Sequence, residues 1–442
     1  MNRRNFLATG MVGAAAMGHT VRASSASADT DGAAPPVKLG TLFNRERATE
    51  IMRRAGLNGL VVTSAPNVYY TTNAIPVLSR FSQVNTAVAI VPANASLPIA
   101  YITDGFEYYA GVSDSGIADG VVPYLVGGSF TVADPRHSPA FDVAGDYAFD
   151  AREQHRRASL DKATPFHQSL QKASGKALAD LGLTRGVIGT DCADARELIR
   201  QAAPRATVRD ASDLMLHVRL VKTDAELQLM RRAAENNVQA ALATVQAARE
   251  EGSVFRVRQR FFREAALRGN LGVYGSVDLV MSELGDGAFR EGQGIMIDFV
   301  SHYGFYQGDF GRTVFYGEPD THVARAAQVG ALAWQEIRAQ LKPGMKFSDV
   351  PGIGKAVVHK LGERFDYAFH PHSVGLQHWD QPRYDLNGAP TDITLQAGMV
   401  LSVDCPLLNA GVNGTTHIED LVVITSQGAD LIHRSAPDNF QV

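Results

Sequence analysis

Apolar positions along the chain recur in two different rhythms. Over residues 39–204 short apolar runs alternate with helically spaced ones. Residues 44–55 carry their apolar side chains at helical spacing and predict an amphipathic helix. Residues 59–63, 86–91 and 98–103 are short apolar runs bounded by Asn, Pro and Gly, which predict buried strands. Residues 121–190 are less regular. Their middle, 146–167, is charged and reads as an excursion from the sheet, and residues 187–191 predict a further strand. The first unit is therefore expected to be an α/β domain, residues 39–217.

The second rhythm begins at Thr223-Asp224-Ala225-Glu226. Thr followed three residues later by Glu is the spacing of a capping box, and Leu227, Met230, Ala233 and Ala234 continue it as a helix. The boundary between units falls at residues 218–222. Beyond it, residues 294–300, 305–316, 399–406 and 418–425 read as strands, and 323–341 and 350–361 as helices. This predicts an α+β domain over residues 218–442.

Composition narrows the possibilities. Of 442 residues, 42 are Lys or Arg and 46 are Asp or Glu, giving a net charge of −4, with 45% apolar and 20% charged. That is a globular chain without the basic excess of a nucleic-acid binder. Two cysteines, Cys192 and Cys405, are too few for a disulfide framework or a thiolate zinc site. Cys405 reads as a small core residue, and a Cys192–Cys405 bridge is the alternative. At the start, Arg3-Arg4-Asn5-Phe6-Leu7, a weakly apolar stretch to Met17 and Ala26-Ser27-Ala28 follow in the order of a twin-arginine export signal. Residues 1–28 are then an address. The mature chain begins at Asp29 and is periplasmic or secreted, with no membrane association once the signal is removed. The stretch is shorter than the roughly 20 apolar residues that span a bilayer.

Candidate chemistry lies in the second unit. Residues 295–316 read IMIDFVSHYGFYQGDFGRTVFY. A hairpin with its two-residue turn at Tyr303-Gly304 would set Asp298 directly opposite Asp309, Cβ atoms about 5 Å apart. Two carboxylates so placed in apolar strands repel unless a cation lies between them. Asp404 and Glu419 repeat the arrangement across a loop at residues 410–413, and His372 lies between the two ribbons in HPHSVGLQHWDQP. Four carboxylates and one imidazole suit two divalent ions about 3.5–4 Å apart. The oxygen-rich set favours Mn, with Fe, Co or Zn as alternatives.

The order Asp, Asp eleven residues later, His, acid, Glu resembles that of the pita-bread metallohydrolases: methionine and Xaa-Pro aminopeptidases, prolidases and creatinase-like enzymes. Gly308 to Thr313 (GDFGRT) resembles SDxxRT, His372, Gly375 and Pro382 match the His motif, and Glu419-Asp420 matches the final strand. The stretch VRLVKTDAELQLMRRAA resembles the helix that leads into the catalytic domain. The resemblance spans residues 40–430. It implies a creatinase-like N-terminal α/β domain followed by a pita-bread catalytic domain, and a homodimer in which one subunit's N-terminal domain closes the other's site. Its ligands would be Asp298, Asp309, His372, Asp404 and Glu419.

Three departures stand out. Asp404 takes the place of a Glu. Trp379, with His378 before it, takes the place of the second His of the His motif. No His occurs in residues 271–297. The metal ligands are thus nearly complete while the peptide-handling groups are altered.

The leading expectation is a dinuclear metallohydrolase in which a metal-bound hydroxide attacks an amide carbon. Glu419 or Asp404 relays the proton, and His378 or His417 stabilises the oxyanion. Trp379, His378 and Tyr306 are candidate substrate contacts, His370 is a further candidate, and Arg312 is expected to be structural. The substrate is a short peptide with proline second. The alternatives are a small non-peptide substrate, as in a creatinase-like C–N hydrolase or a dimethylsulfoniopropionate-type lyase, or a non-catalytic binding protein.

Overall fold

The computed structural model describes residues 39–81, 86–127, 148–161, 166–411 and 414–442, and the export signal read at residues 1–28 lies outside them. The first unit is built on a six-stranded mixed sheet. Its strands are β1 (Gly59–Val62), β2 (Ala87–Pro92), β3 (Ile99–Asp104), β4 (Val121–Val126), β5 (Arg185–Thr190) and β6 (Arg205–Asp210), in spatial order β4-β3-β2-β1-β5-β6. β1 and β2 are buried throughout, so the middle of the sheet is covered on both faces. Ala173 and Ala177 of one helix and Ile199 of another pack on Val61, Val88, Ile90 and Ile188. The other face meets Ile51 and Met52 of the helix Arg45–Arg54, whose N-terminus is capped by the Asn44 side chain.

A second, larger apolar cluster does not stop at this sheet. It runs from Leu60 and Tyr70 through Met215, Leu229 and Met230 to Val400, Leu421 and Ile432. The two halves of the chain therefore share a core. Arg219 ties them with charge as well. Its guanidinium bonds Asn67 Oδ1 of the helix Ala65–Thr72 at 2.7 Å, Gln377 Oε1 at 2.8 Å, and the Asp380 carboxylate. Lys222 Nζ lies 3.9 Å from the other Asp380 oxygen, and all three side chains are at most 3% exposed.

The capping box at Thr223 forms as the spacing implies: Glu226 N donates to Thr223 Oγ1, and Thr223 N donates back to Glu226. The helix it starts, Asp224–Gln246, packs on a long hairpin of β8 (Gln293–Tyr303) and β9 (Tyr306–Tyr316). One face of the hairpin, Ile295, Ile297, Phe299, Phe310 and Val314, is apolar and lies against that helix and the next. Strand alternation turns Asp298 and Asp309 to the opposite face.

β8 pairs with β7 (Leu271–Val277) on one side, and β9 with the short β12 (Glu419–Asp420) on the other. β15 (Asn439–Gln441) also runs beside β9, in parallel. A separate four-stranded sheet has the order β10 (His370–Ser373), β11 (Val400–Asp404), β13 (Val422–Ile424), β14 (Ala429–Leu431). The expected strand over 418–425 is thus two strands. Leu421 breaks it, and the chain passes from one sheet to the other between Asp420 and Val422.

The Arg219–Asp380 pair generates a prediction. Asp380→Ala leaves a buried guanidinium and a buried ammonium without their carboxylate, which costs about 3–5 kcal/mol. The expected result is a lower urea midpoint at unchanged slope.

Candidate metal centre

The hairpin that carries the first two acids turns one residue later than the sequence suggests. Tyr303 pairs with Tyr306, so the turn is Gly304-Phe305, both in the left-handed region with φ of 52° and 68°. Two consecutive positive φ values make the primed two-residue turn that suits hairpin twist. Phe305 lacks the glycine signal for such a turn. Its ring is held by His302, stacked at 5.3 Å, by Tyr69 at 5.4 Å and by the Arg80 guanidinium at 4.8 Å. The consequence is a corrected register. Asp298 opposes Gly311, and Asp309 opposes Val300. The acids remain on one face as diagonal neighbours, at a spacing of roughly 7 Å between strand positions.

The space opposite Asp298 is not empty. A Cβ on Gly311 would lie 2.2 Å from the His417 ring, so the missing side chain admits that imidazole. Glu419 is delivered beside it because β12 bonds to β9 at Gly311 and Phe310. Arg312 fastens this crossing. Its guanidinium donates to the carbonyls of Gly311 and Glu419 at 2.7 Å and to Asp420 Oδ1 at 2.6 Å, and Trp334 Nε1 donates to the second Asp420 oxygen.

Asp404 ends β11. The runs 401–407 and 416–422 stay in step from the Leu401–Val422 pair to the Leu407–Thr416 bridge, which brings Asp404 level with Glu419. They do not form a ladder pair there, because Glu419 is bonded to β9 instead. Residues 412 and 413 of the expected loop lie outside the described residues.

His372, on β10, closes the cluster. Its Nε2 lies 3.4 Å from Asp404 Oδ2, 3.4 Å from Glu419 Oε1 and 3.7 Å from Asp309 Oδ2. Its Nδ1 is 3.1 Å from the His378 carbonyl, which only accepts. Nδ1 is thus the donor, and a neutral His372 aims the Nε2 lone pair at three carboxylates. The loop after β10 returns His378, whose Nε2 is 3.0 Å from Asp309 Oδ2. Asp380 shapes this loop by accepting from Leu376 N, and Arg219 holds Asp380. His417 Nε2 lies 3.1 Å from Glu419 Oε2 and 3.8 Å from Asp404 Oδ1.

Asp309, His372, His417 and Glu419 are at most 3% exposed. Asp298 Oδ1, Asp309 Oδ1, His372 Nε2 and Glu419 Oε1 are buried without a hydrogen-bond partner. Orphaned carboxylate oxygens and an imidazole lone pair lying close together are what a cation satisfies. Three overlapping groups converge closely enough to share an ion: Asp309, His372 and His378; Asp298, His417 and Glu419; and His372, Asp404 and Glu419. The residues fit two divalent ions.

Charge explains the titration of these groups without metal. Burial, then the charges of Glu419 and Asp309, hold the Asp298 carboxyl well above the usual range, and burial with Glu419 raises Asp309 to about 6. Burial also pushes Glu419 up, but the His372 and His417 imidazoles beside it outweigh burial and hold that carboxyl well below its usual range. Burial lowers His378 and His417, but Asp309 and Glu419 respectively outweigh it, raising both to about 9.

One expectation from sequence changes. Tyr306 does not face the centre: three positions from Asp309 along one strand, it points to the other face. There it is fully buried and donates to Glu226 Oε1 at 3.1 Å. Cys192 and Cys405 are both free thiols, Cys405 buried and Cys192 3.0 Å from Thr63 Oγ1. Trp379 is 50% exposed. Its indole stacks on His372 at 5.4 Å with 7° between planes, and the exposed His370 lies 5.1 Å from it.

Sequence reading missed Tyr274 and Ser276. On β7, Ser276 opposes Asp298, and Tyr274, two residues back, shares its face. Burial and the charge of Asp298 push the Tyr274 phenol up, with Asp404 and Asp309 adding to it. The glycines at 272 and 275 and a register shift hide the alternation that marks this strand. A surface groove of about 640 Å³ lined by Arg47, His217, Asp385 and Gln396 shares no residue with the centre.

Residues 224–426 match metallopeptidase family M24. The chain is similar to an Xaa-Pro dipeptidase of Lactobacillus delbrueckii, 28% identical over 233 residues, covering 50% of this chain and 61% of that one. It therefore spans about three fifths of that relative's length. An Xaa-Pro dipeptidase of Pyrococcus furiosus is 24% identical over 261 residues, 56% of this chain and 72% of the relative. Among solved structures, an X-Pro aminopeptidase from Thermotoga maritima superposes with a TM-score of 0.64 at 16% identity, and an Xaa-Pro dipeptidase from Bacillus anthracis with 0.65 at 18%. Each covers 90% of this chain and 99% of its own, which establishes the two-domain pita-bread fold.

A pH prediction follows from the carboxyl and imidazole shifts. Without metal, folded Asp309 keeps its proton to about pH 6, whereas an unfolded Asp releases it near pH 4. Stability therefore falls as pH rises through that window. The stabilisation from His378 and His417 is full below about pH 6.5 and is lost as pH rises through about 9. Melts of chelator-treated protein should fall across both windows. A divalent ion at a hundred times its Kd should restore about 2.7 kcal/mol, with tighter binding at pH 8 than at pH 6 because protons are displaced. Melting curves indifferent to metal and chelator would remove the basis for this centre.

Proposed function

This chain belongs to the pita-bread metallopeptidases of family M24, and from that premise we propose that it is a dinuclear metal-dependent hydrolase of short peptides with proline in the second position. Asp298, Asp309, His372, Asp404 and Glu419 would hold the ions. The observation that carries the reading is that Asp298, Asp309, His372 and Glu419, each with a buried atom left unpaired, lie in a chain of three acid–imidazole groups linked through His372 and Glu419. Two such ions, when bound, would lower the pKa of water toward neutrality and polarise an amide carbonyl.

The chain's own groups do the rest. Glu419, held ionised by His372 and His417, is the proton acceptor beside the reacting water. The half-exposed indole of Trp379 offers a flat apolar wall for a prolyl ring, and the Tyr274 hydroxyl is a donor on the same face as Asp298. Residues 1–28 direct export to the periplasm, and the enzyme works as a homodimer.

A second reading is a non-peptide enzyme on the same fold. It is favoured by the aromatic face of Trp379, which also suits a cationic sulfonium or ammonium group.

Metal-reconstituted protein assayed against Xaa-Pro dipeptides, Xaa-Ala controls, small amides and sulfonium or betaine compounds separates these readings. Xaa-Pro turnover is expected, and Asp309→Ala should reduce it more than about a hundredfold, since even the outer partners of metal ligands cost 10–100-fold. Turnover confined to the non-peptide compounds would overturn the peptide reading. Turnover of none of them by protein that carries its metals would leave a binding protein.

A further inference from the structure

We propose that His378 and His417 are themselves metal ligands, one at each end of the carboxylate cluster. The centre then holds its two ions with three imidazoles, a set suited to Zn, Co or Fe rather than Mn. The inference rests on the reading of this cluster as a metal centre and moves both histidines from an oxyanion role to the metals.

The spacing is that of ligands sharing an ion. Metal–ligand bonds of about 2.0–2.2 Å at tetrahedral to right angles place neighbouring ligand atoms roughly 3.0–3.5 Å apart. His372 Nε2 stands 3.4 Å from its carboxylate neighbours Asp404 and Glu419. His378 Nε2 to Asp309 at 3.0 Å and His417 Nε2 to Glu419 at 3.1 Å fall in the same range. Each imidazole also belongs to a converging triplet, His378 with Asp309 and His372, His417 with Asp298 and Glu419. The two triplets have no residue in common, so each would serve a different ion.

The backbone is built around one of the rings. His417 occupies the volume that any side chain at position 311 would fill, directly across the ladder from Asp298. Its ring is 3% exposed and points Nε2 among Asp298, Asp404 and Glu419. At the other end the His378 ring lies 4.7 Å from that of His372, so two imidazoles flank Asp309. Imidazole ligands shift a site away from Mn and toward Zn, Co and Fe.

The test uses the full chain with both sites loaded. X-ray absorption on the zinc form counts imidazoles. Three shared by two ions average one and a half per zinc, whereas His372 alone gives half of one. His417→Gln keeps a hydrogen-bonding amide of similar reach beside Glu419 but is a poor ligand, and His378→Gln does the same beside Asp309. Each variant is expected to weaken zinc binding at one site by at least tenfold, to remove one imidazole from the count, and to narrow the preference for zinc over manganese in competition. A count of one half per zinc, with both variants binding two ions as wild type does, would overturn the proposal while leaving the metal centre standing. Wild-type protein that takes up no zinc or manganese from micromolar free ion would overturn both.

Discussion

Mutual repulsion among four acidic side chains is the constraint around which the second half of this protein is arranged. Asp309 and Glu419 are buried, Asp298 is half-buried on the same hairpin, and Asp404 joins them at the end of β11. Enclosing so much like charge opposes folding unless cations share the space. The raised carboxyls of Asp298 and Asp309 and the raised imidazoles of His378 and His417 express that pressure as proton uptake. Divalent ions held by the same groups would relieve it in the same place.

Such a cluster needs a rigid frame, and the frame is also electrostatic. Arg312 stitches the Glu419–Asp420 segment to β9 through two carbonyls and a carboxylate, with Trp334 completing the Asp420 shell. Arg219 does the equivalent for the loop bearing His378 and Trp379, through Asp380 and Gln377, and extends the same guanidinium to Asn67 in the first unit. The position of His378 against Asp309 is therefore linked to the docking of the two halves, which share one apolar cluster. That coupling gives the N-terminal sheet a part in shaping the centre although it contributes no ligand to it.

Much of this was legible from the residues alone. The apolar run IMIDFV, a hairpin with a two-residue turn and the acids eleven apart placed Asp298 and Asp309 on one face. The inference survived a wrong turn, because a one-residue move of a two-residue turn changes partners by two and keeps the face. Glu419 beside Asp404 was legible for a similar reason. Tyr274 was not, because glycines and a register shift on β7 erase the alternation. Tyr306 was misread because its aromatic character was weighed without its parity relative to Asp309.

The sequence by itself determined the acids, their order and the faces they occupy, since side-chain alternation is a local property of strands. It determined the start of the Asp224–Gln246 helix in the same way, through a four-residue cap. Only the tertiary structure decided that His417 fills the space at Gly311, that His378 reaches Asp309, and that Leu421 marks a passage between sheets. Those contacts join segments tens to more than a hundred residues apart. Their geometry depends on how whole strands stack and cross, which no local pattern encodes.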